Sequence, residues 1–272
     1  MRKTLSLALI SFSIASCTTN AITNRSQLSL FSDSDIQSMA AQEYTTFLTQ
    51  NKVVATNTSK DAEMVRRVGQ RLVVAITQYY SEKGLSKELE GYNWEYNLVQ
   101  SNEVNAWCMP GGKIVVYTGL LPITQNEAAL AVVMGHEIAH ALAKHGNERM
   151  SQQAAAQLGE TALSVAIANK TPAAQSLFKT AYGVGSNVGV LLPFSRKQEL
   201  EADKYGLIFA AMAGYNPQEA IPLWERMAKA SEGQKPLEIL STHPAESTRI
   251  EQLQKLMPEA LAYYKPVSSS SK

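Results

Sequence analysis

Between residues 60 and 83, Met64, Val65, Val68, Leu72, Ala75, Ile76 and Tyr79 recur at helical spacing, forming one apolar face. The pattern predicts a helix that ends near Gly84. An earlier helix is expected over DIQSMAAQEYTTFLTQ, starting at Ser32-Asp33-Ser34-Asp35. The pattern then changes. NWEYNLVQS (93–101) and KIVVYTG (113–119) are short runs that read as strands. The second is rich in β-branched residues and follows Pro110-Gly111-Gly112. From Asn126 onward helices are expected almost throughout, at about 126–149, 151–169, 172–188, 195–213, 217–231 and 245–257. Pro172, Pro193, Pro217 and Pro244 mark the breaks. No internal repeat is present. The expected class is α+β, predominantly helical, with a small antiparallel sheet.

The chain has 272 residues, 45% hydrophobic and 18% charged, enough for one sizeable core or two small ones. Its formal charge of +1 carries no footprint of nucleic-acid binding. The first residues follow another logic. Arg2 and Lys3 precede LSLALISFSIA, then Ser16 and Cys17. This is the order of a secretory signal, too short for a confident membrane span. The ending I-A-S-C resembles a bacterial lipobox, with Ile14 where leucine is usual. Residues 1–16 are therefore expected to be a lipoprotein signal peptide, Cys17 the lipidated residue, and 17–32 a polar tether. Cleavage removes two basic side chains, so +1 becomes −1. Cys108 is then left without an intrachain disulfide partner. By resemblance to bacterial sorting patterns, Thr18 after the cysteine favours the outer membrane. The body is expected over 33–260, and 261–272 as a flexible tail.

The chemistry sits at His136-Glu137-Ile138-Ala139-His140, an H-E-x-x-H sequence. Positions i and i+4 share a helix face, so both imidazoles can reach one zinc ion. Glu137 lies beside them and can take a proton from an attacking water. The surrounding Leu130, Val133, Met134, Ile138, Ala141 and Leu142 suit a helix buried in an active-site wall. His145 stands nine residues beyond His136. At roughly 100° per residue it faces nearly the opposite side of a continuous helix. Unless the helix breaks first, it cannot share the metal.

A third ligand must therefore come from elsewhere. SRKQELEADKYG (195–206) reads as a helix with Glu199 and Asp203 on one face and Glu201 turned away by about 200°. Glu199 and Asp203 suit a ligand and its hydrogen-bonding partner. The same turn also reads as an exposed charged stretch paired with Arg196, Lys197 and Lys204.

H-E-I-A-H followed by S-R and E-L-E-A-D resembles the zinc metallopeptidases of the CAAX-prenyl-protease, HtpX and BepA type. N-A-W-C-M-P-G-G-K-I-V-V-Y-T-G (105–119), T-H-P-A-E-S-T-R-I (242–250) and R-S-Q-L (25–28) also match that group. The resemblance covers about residues 25–257 and implies a gluzincin-type fold, with the small sheet beside the H-E-x-x-H helix. It implies one Zn²⁺ per chain, bound by His136, His140 and Glu199, with Asp203 supporting a ligating histidine. Glu137 is the implied base. His243 is implied near the zinc, stabilising the oxyanion or occupying the open metal position, and Arg249 holds that loop or pairs with a carboxylate. Lys113, Ile114, Val115, Val116 and Tyr117 look like the family's edge strand, to which an extended substrate adds by main-chain hydrogen bonds. Asn105 and Ala106 would rim the cleft. The chain resembles the stand-alone lipoprotein branch. Its expected role is endopeptidase cleavage of misfolded or unassembled envelope proteins, from a lipid anchor facing the periplasm. The competing role is a non-catalytic chaperone or binding lipoprotein that keeps the fold. The Ala-, Gly- and Ser-rich segment 150–194 between the two halves of the site would allow close helix packing or a lid motion.

Overall fold

The computed structural model describes residues 17–157, 172–182, 194–231, 237–243 and 248–266. Its elements run in the order β1 (Cys17–Thr19), β2 (Ser26–Leu28), α1 (Asp33–Gln50), α2 (Lys60–Glu82), β3 (Glu95–Val99), β4 (Ala106–Met109) and β5 (Lys113–Tyr117). Then follow α3 (Leu121–Thr124), α4 (Glu127–Leu142), α5 (His145–Gln157), α6 (Pro172–Tyr182) and α7 (Arg196–Met212). The last are α8 (Ala220–Ser231), α9 (Glu238–Thr242) and α10 (Arg249–Ala262). The starts of α1, α2, α4 and α7 fall where a short polar side chain caps the first turn. Ser32 accepts from Asp35 N, Ser59 from Ala62 N and Asn126 from Ala129 N. Ser195 and Gln198 form a reciprocal capping box at the start of α7.

The predominantly helical α+β class holds. The small sheet lies beside α4, in the order β3-β5-β4. The β4–β5 pair is antiparallel and the β3–β5 pair parallel, so the sheet is mixed. Two sequence expectations change here. Ala106–Met109 is a third strand, hidden because Trp-Cys-Met lacks β-branched residues. It also displaces Lys113–Tyr117 from the edge. β5 is paired on both sides, so its main chain cannot accept a substrate strand, and β3 and β4 are the outer strands of the described sheet, β4 being the one that lines the cleft. The physical reason is burial on both faces. Ile114 and Val116 join the core around α2 and α4. Val115 and Tyr117 join a second core with α1, α5 and α6. A strand clamped between two cores reads as an unbroken apolar run. Lys113 ends it, buried with its ammonium 2.7 Å from Glu95 and 2.6 Å from Asn93 O.

The helix expected over 126–149 is two helices. α4 ends at Leu142, Lys144 takes φ +56°, and α5 starts at His145. The tether expectation also fails for the described residues. β1 and β2 pair as an antiparallel ribbon. Asn20, Ile22, Gln27 and Phe31 are buried. The segment is polar because its polar groups bind other parts of the protein: Asn20 Nδ2 donates to Leu142 O, and Gln27 Nε2 to Ala143 O. At the other end α10 continues to Ala262, and the Tyr263 ring packs against Tyr79, so the tail is helical at its start. The expected signal peptide, most of the 150–194 lid segment, Pro193, Pro244 and the last residues lie outside the described residues.

Candidate metal centre

Among the described elements, α4 and α7 make the most extensive helix contact. They cross at two glycines. A Cβ on Gly206 would lie 2.8 Å from His136 Cα, and one on Gly135 would lie 2.8 Å from Gly206 O. Only bare backbones approach this closely. The crossing places the carboxylates of α7 directly beneath the histidines of α4.

His136, His140, Glu199 and His243 are all buried, and their donor atoms lie within 4.8 Å of one another. His136 Nε2 stands 3.0 Å from His140 Nε2 and 3.2 Å from His243 Nδ1. Glu199 Oε1 stands 3.3 Å from His140 Nε2 and 2.9 Å from His243 Nδ1, and Oε2 is 3.6 Å from His136 Nε2. Tetrahedral ligands about 2.0–2.1 Å from one zinc ion are separated by ~3.3 Å, so these spacings fit. The chemistry of the donors fits as well. His136 Nδ1 faces Asp203 Oδ1 at 2.9 Å and so carries the proton, leaving Nε2 as a bare lone pair. That lone pair and the Glu199 carboxylate converge where a cation is needed.

The environment sets the charge of each group. Burial pushes the Glu137 carboxyl above its ordinary value, against the pull of His243 and His136. Among the described residues its Oε1 has no hydrogen-bond partner, and it lies 3.5 Å from His243 Nε2. Burial acts upward on Glu199 too, but His243, His140 and His136 outweigh it and hold the carboxyl well below the usual range. Burial drives His140 well down, keeping it neutral as a ligand must be. For His243 the burial effect is downward, yet Glu137 and Glu199 outweigh it and raise the value.

Asp203 supports a ligating histidine as the sequence implied. Arg249 pairs with both carboxylates, at 2.5 Å to Glu199 Oε2 and 2.6 Å to Asp203 Oδ1, with its guanidinium over the Trp224 ring. The turn at 195–206 is therefore not an exposed charged stretch on this face. Asn105 and Ala106 line the cleft in front of Glu137 and His140, together with Trp107 and Cys108. Lys113 through Tyr117 do not line it; they are sheet core. Burial pushes the Cys108 thiol well up, so it stays a neutral thiol.

Several residues were not legible as part of the site. The break at Lys144 swings His145 back, so that its Nδ1 stands 2.8 Å from His140 Nδ1. His145 stays out of the ligand cluster, but through this contact rather than by facing away. Its Nε2 lies 2.9 Å from Glu201 Oε2, so the glutamate expected to turn away from the metal meets a partner there. Arg25 donates to Glu201 Oε1 at 2.7 Å and bidentately to Glu148. Phe194 stacks on His140 with ring centroids 3.8 Å apart. The match at R-S-Q-L was the one sequence signal for Arg25.

Comparison with known proteins agrees with this geometry. The chain is 32% identical over 249 residues to the metalloendopeptidase OMA1, mitochondrial, of Homo sapiens, covering 88% of this chain and 46% of that protein. It is 38% identical over 169 residues to the mitochondrial metalloendopeptidase OMA1 of Schizosaccharomyces pombe, covering 61% and 48%. It is 30% identical over 183 residues to the beta-barrel assembly-enhancing protease of Escherichia coli K12, covering 64% and 37%. The chain thus spans about half the length, or less, of these curated relatives. The sequence profile of Peptidase family M48 matches residues 59–257, which include His136, Glu137, His140, Glu199, Asp203, His243 and Arg249, and the chain belongs to that family.

Proposed function

We propose that this chain is a zinc-dependent endopeptidase of the bacterial envelope. The observation that carries the reading is Glu137: a buried carboxylate with an unpartnered oxygen beside a cluster of lone-pair donors. When bound, zinc supplies Lewis acidity that polarises a peptide carbonyl and acidifies water. His136, His140 and Glu199 hold it. Glu137, raised by burial, takes the proton of the attacking water and delivers it to the leaving amine. His243 belongs to the cluster at the end of α9, where it would help hold the metal at rest or stabilise the developing oxyanion.

The substrate chain adds to the free edge of β4, at Ala106–Met109, which runs along the cleft. Main-chain pairing accepts many sequences, which suits unfolded or misassembled proteins as substrates. A small apolar pocket behind His136 and Glu137, lined by Val132, Val133, Leu223, Trp224, Met227 and Ile239, receives an apolar side chain next to the scissile bond. The basic–apolar–small–Cys order of residues 2–17 supports a lipid anchor at Cys17, and Thr18 supports the outer membrane, facing the periplasm. Cys17 is exposed at the start of β1, open to such an anchor. The intact Glu137 weighs against a non-catalytic chaperone, which has no use for it.

Bound zinc and cleavage of an unfolded protein are measured for the wild type, Glu137→Ala and Glu199→Ala. Glu137→Ala is expected to keep zinc and lose cleavage; Glu199→Ala weakens both. Equal cleavage by the wild type and Glu137→Ala would sink the peptidase reading. Radiolabelled palmitate incorporated equally by the wild type and Cys17→Ser would remove the anchor.

A further inference from the structure

The two ligand histidines of α4 turn their second ring nitrogens to opposite sides. His136 Nδ1 meets a carboxylate, Asp203. His140 Nδ1 meets another imidazole, His145, at 2.8 Å. Two nitrogens at that distance need one proton between them, and the metal decides where it lies. His140 Nε2 belongs to the ligand cluster, so a neutral His140 carries its proton on Nδ1. His145 Nδ1 must then accept. The one proton of a neutral His145 is left for Nε2, which faces Glu201 Oε2 at 2.9 Å. Glu201 accepts there and receives Arg25 Nε–H on its other oxygen at 2.7 Å. The opposite tautomer of His145 would set N–H against N–H at one end and a lone pair against a carboxylate at the other. A doubly protonated His145 would keep the first clash. One arrangement of protons satisfies the whole chain.

We propose that Arg25, Glu201 and His145 form a positioning relay that holds His140 in its metal-binding tautomer, making the amino-terminal ribbon a working part of the metal centre. His145 is fully buried, and among the described residues its ring nitrogens meet His140 and Glu201, so its effect on the cluster runs through His140. Arg25 is anchored in turn by its two bonds to Glu148, and Glu148 also accepts from Gln198 at the start of α7. The ribbon, α5 and α7 therefore meet at one charged node behind the ligand.

The inference rests on the metal-binding reading above, and its test separates the two. Long-range ¹H–¹⁵N spectra of histidine side chains in the zinc-loaded wild type should show His140 protonated at Nδ1 and His145 at Nε2. His145 protonated at Nδ1 overturns the relay. Zinc dissociation constants and the visible bands of the cobalt-substituted protein are then compared among variants. His145→Leu should weaken zinc by about ten- to a hundredfold and shift the cobalt bands. His145→Gln, whose amide can accept from His140 and donate to Glu201, should recover most of that loss. Glu201→Gln and Arg25→Met should shift both readouts the same way by less. Wild-type affinity and unchanged cobalt bands in folded His145→Leu overturn the relay. If His145→Leu fails to fold, His145→Gln and the wild-type spectra decide. A wild type that binds no divalent metal ends the peptidase reading as well, an outcome distinct from the others.

Discussion

His136 and His140 stand one helical turn apart, yet they are held by different means. His136 is buttressed within the core, by a carboxylate that Arg249 locks from α10. His140 is buttressed through a second imidazole toward a half-buried node built from the amino-terminal ribbon. The core side joins α4, α7 and α10, which the long-range packing already brings together. The ribbon side depends on a segment of about fifteen residues that is held to the body by the buried Ile22 and Phe31 and by side-chain hydrogen bonds such as those of Asn20 and Gln27. The support behind one ligand thus lies in the core, while that behind the other runs through hydrogen bonds to the ribbon. Small changes at the chain's start should reach the metal through His140 and leave His136 in place.

The largest break in this comparison should come from Arg249→Met. It leaves Glu199 and Asp203 buried without their cation, at a cost of about 3–5 kcal/mol in chemical denaturation of the metal-free protein. Next comes Gly206→Ala. Its Cβ meets the backbone of His136, which cannot yield as a side chain would, and the expected loss is about 1–3 kcal/mol, accompanied by weaker zinc binding. A thermal melt and a chelator competition check both. On the ribbon side, Arg25→Met should cost less than Arg249→Met, about 1–3 kcal/mol, because the node it leaves is closer to water. Equal losses for the two arginines would erase the distinction between the sides.

The smallest effect is one of pH. Burial raises the Glu201 carboxyl, but the hydrogen bonds from His145 and Arg25 outweigh it and lower the value. A folded value below the unfolded one adds stability above the ordinary glutamate range, near ~4.3, which disappears as pH falls through the folded value. Urea midpoints of the metal-free wild type should therefore fall more steeply below about pH 5 than those of Glu201→Gln. Parallel slopes would remove Glu201 from the ion-pair node.

The difference between the two sides also explains what was legible. His136, Glu137 and His140 were readable because one helix turn places them together, a matter of local geometry. Helical phase narrowed the third ligand to the face of Glu199 and Asp203, and could not say whether that face met solvent or metal. Glu201 was correctly phased away from Glu199, but phase alone says nothing about what waits on the other side. His145 was misplaced because the helix was assumed continuous. The left-handed Lys144 that breaks it is an unusual residue for that conformation, where glycine is the expected signal. The edge position expected for β5 rests on the family resemblance alone, and its apolar run is silent about the short strand Ala106–Met109 beside it.

The sequence by itself determined the catalytic chemistry: two imidazoles and a carboxylate on one turn, and a capped helix carrying the remaining carboxylates. These depend on spacing within single elements, and the backbone enforces that spacing wherever the helix forms. Tertiary structure alone decided which of those carboxylates faces the histidines, which strand lies at the centre of the sheet, and that a polar stretch at the start of the chain is docked rather than loose. The carboxylates meet α4 across 67 residues, at His136 with Asp203, and the docked stretch meets α4 and α5 across more than a hundred, as in Asn20 with Leu142 and Arg25 with Glu148. No local periodicity records a partner at that distance.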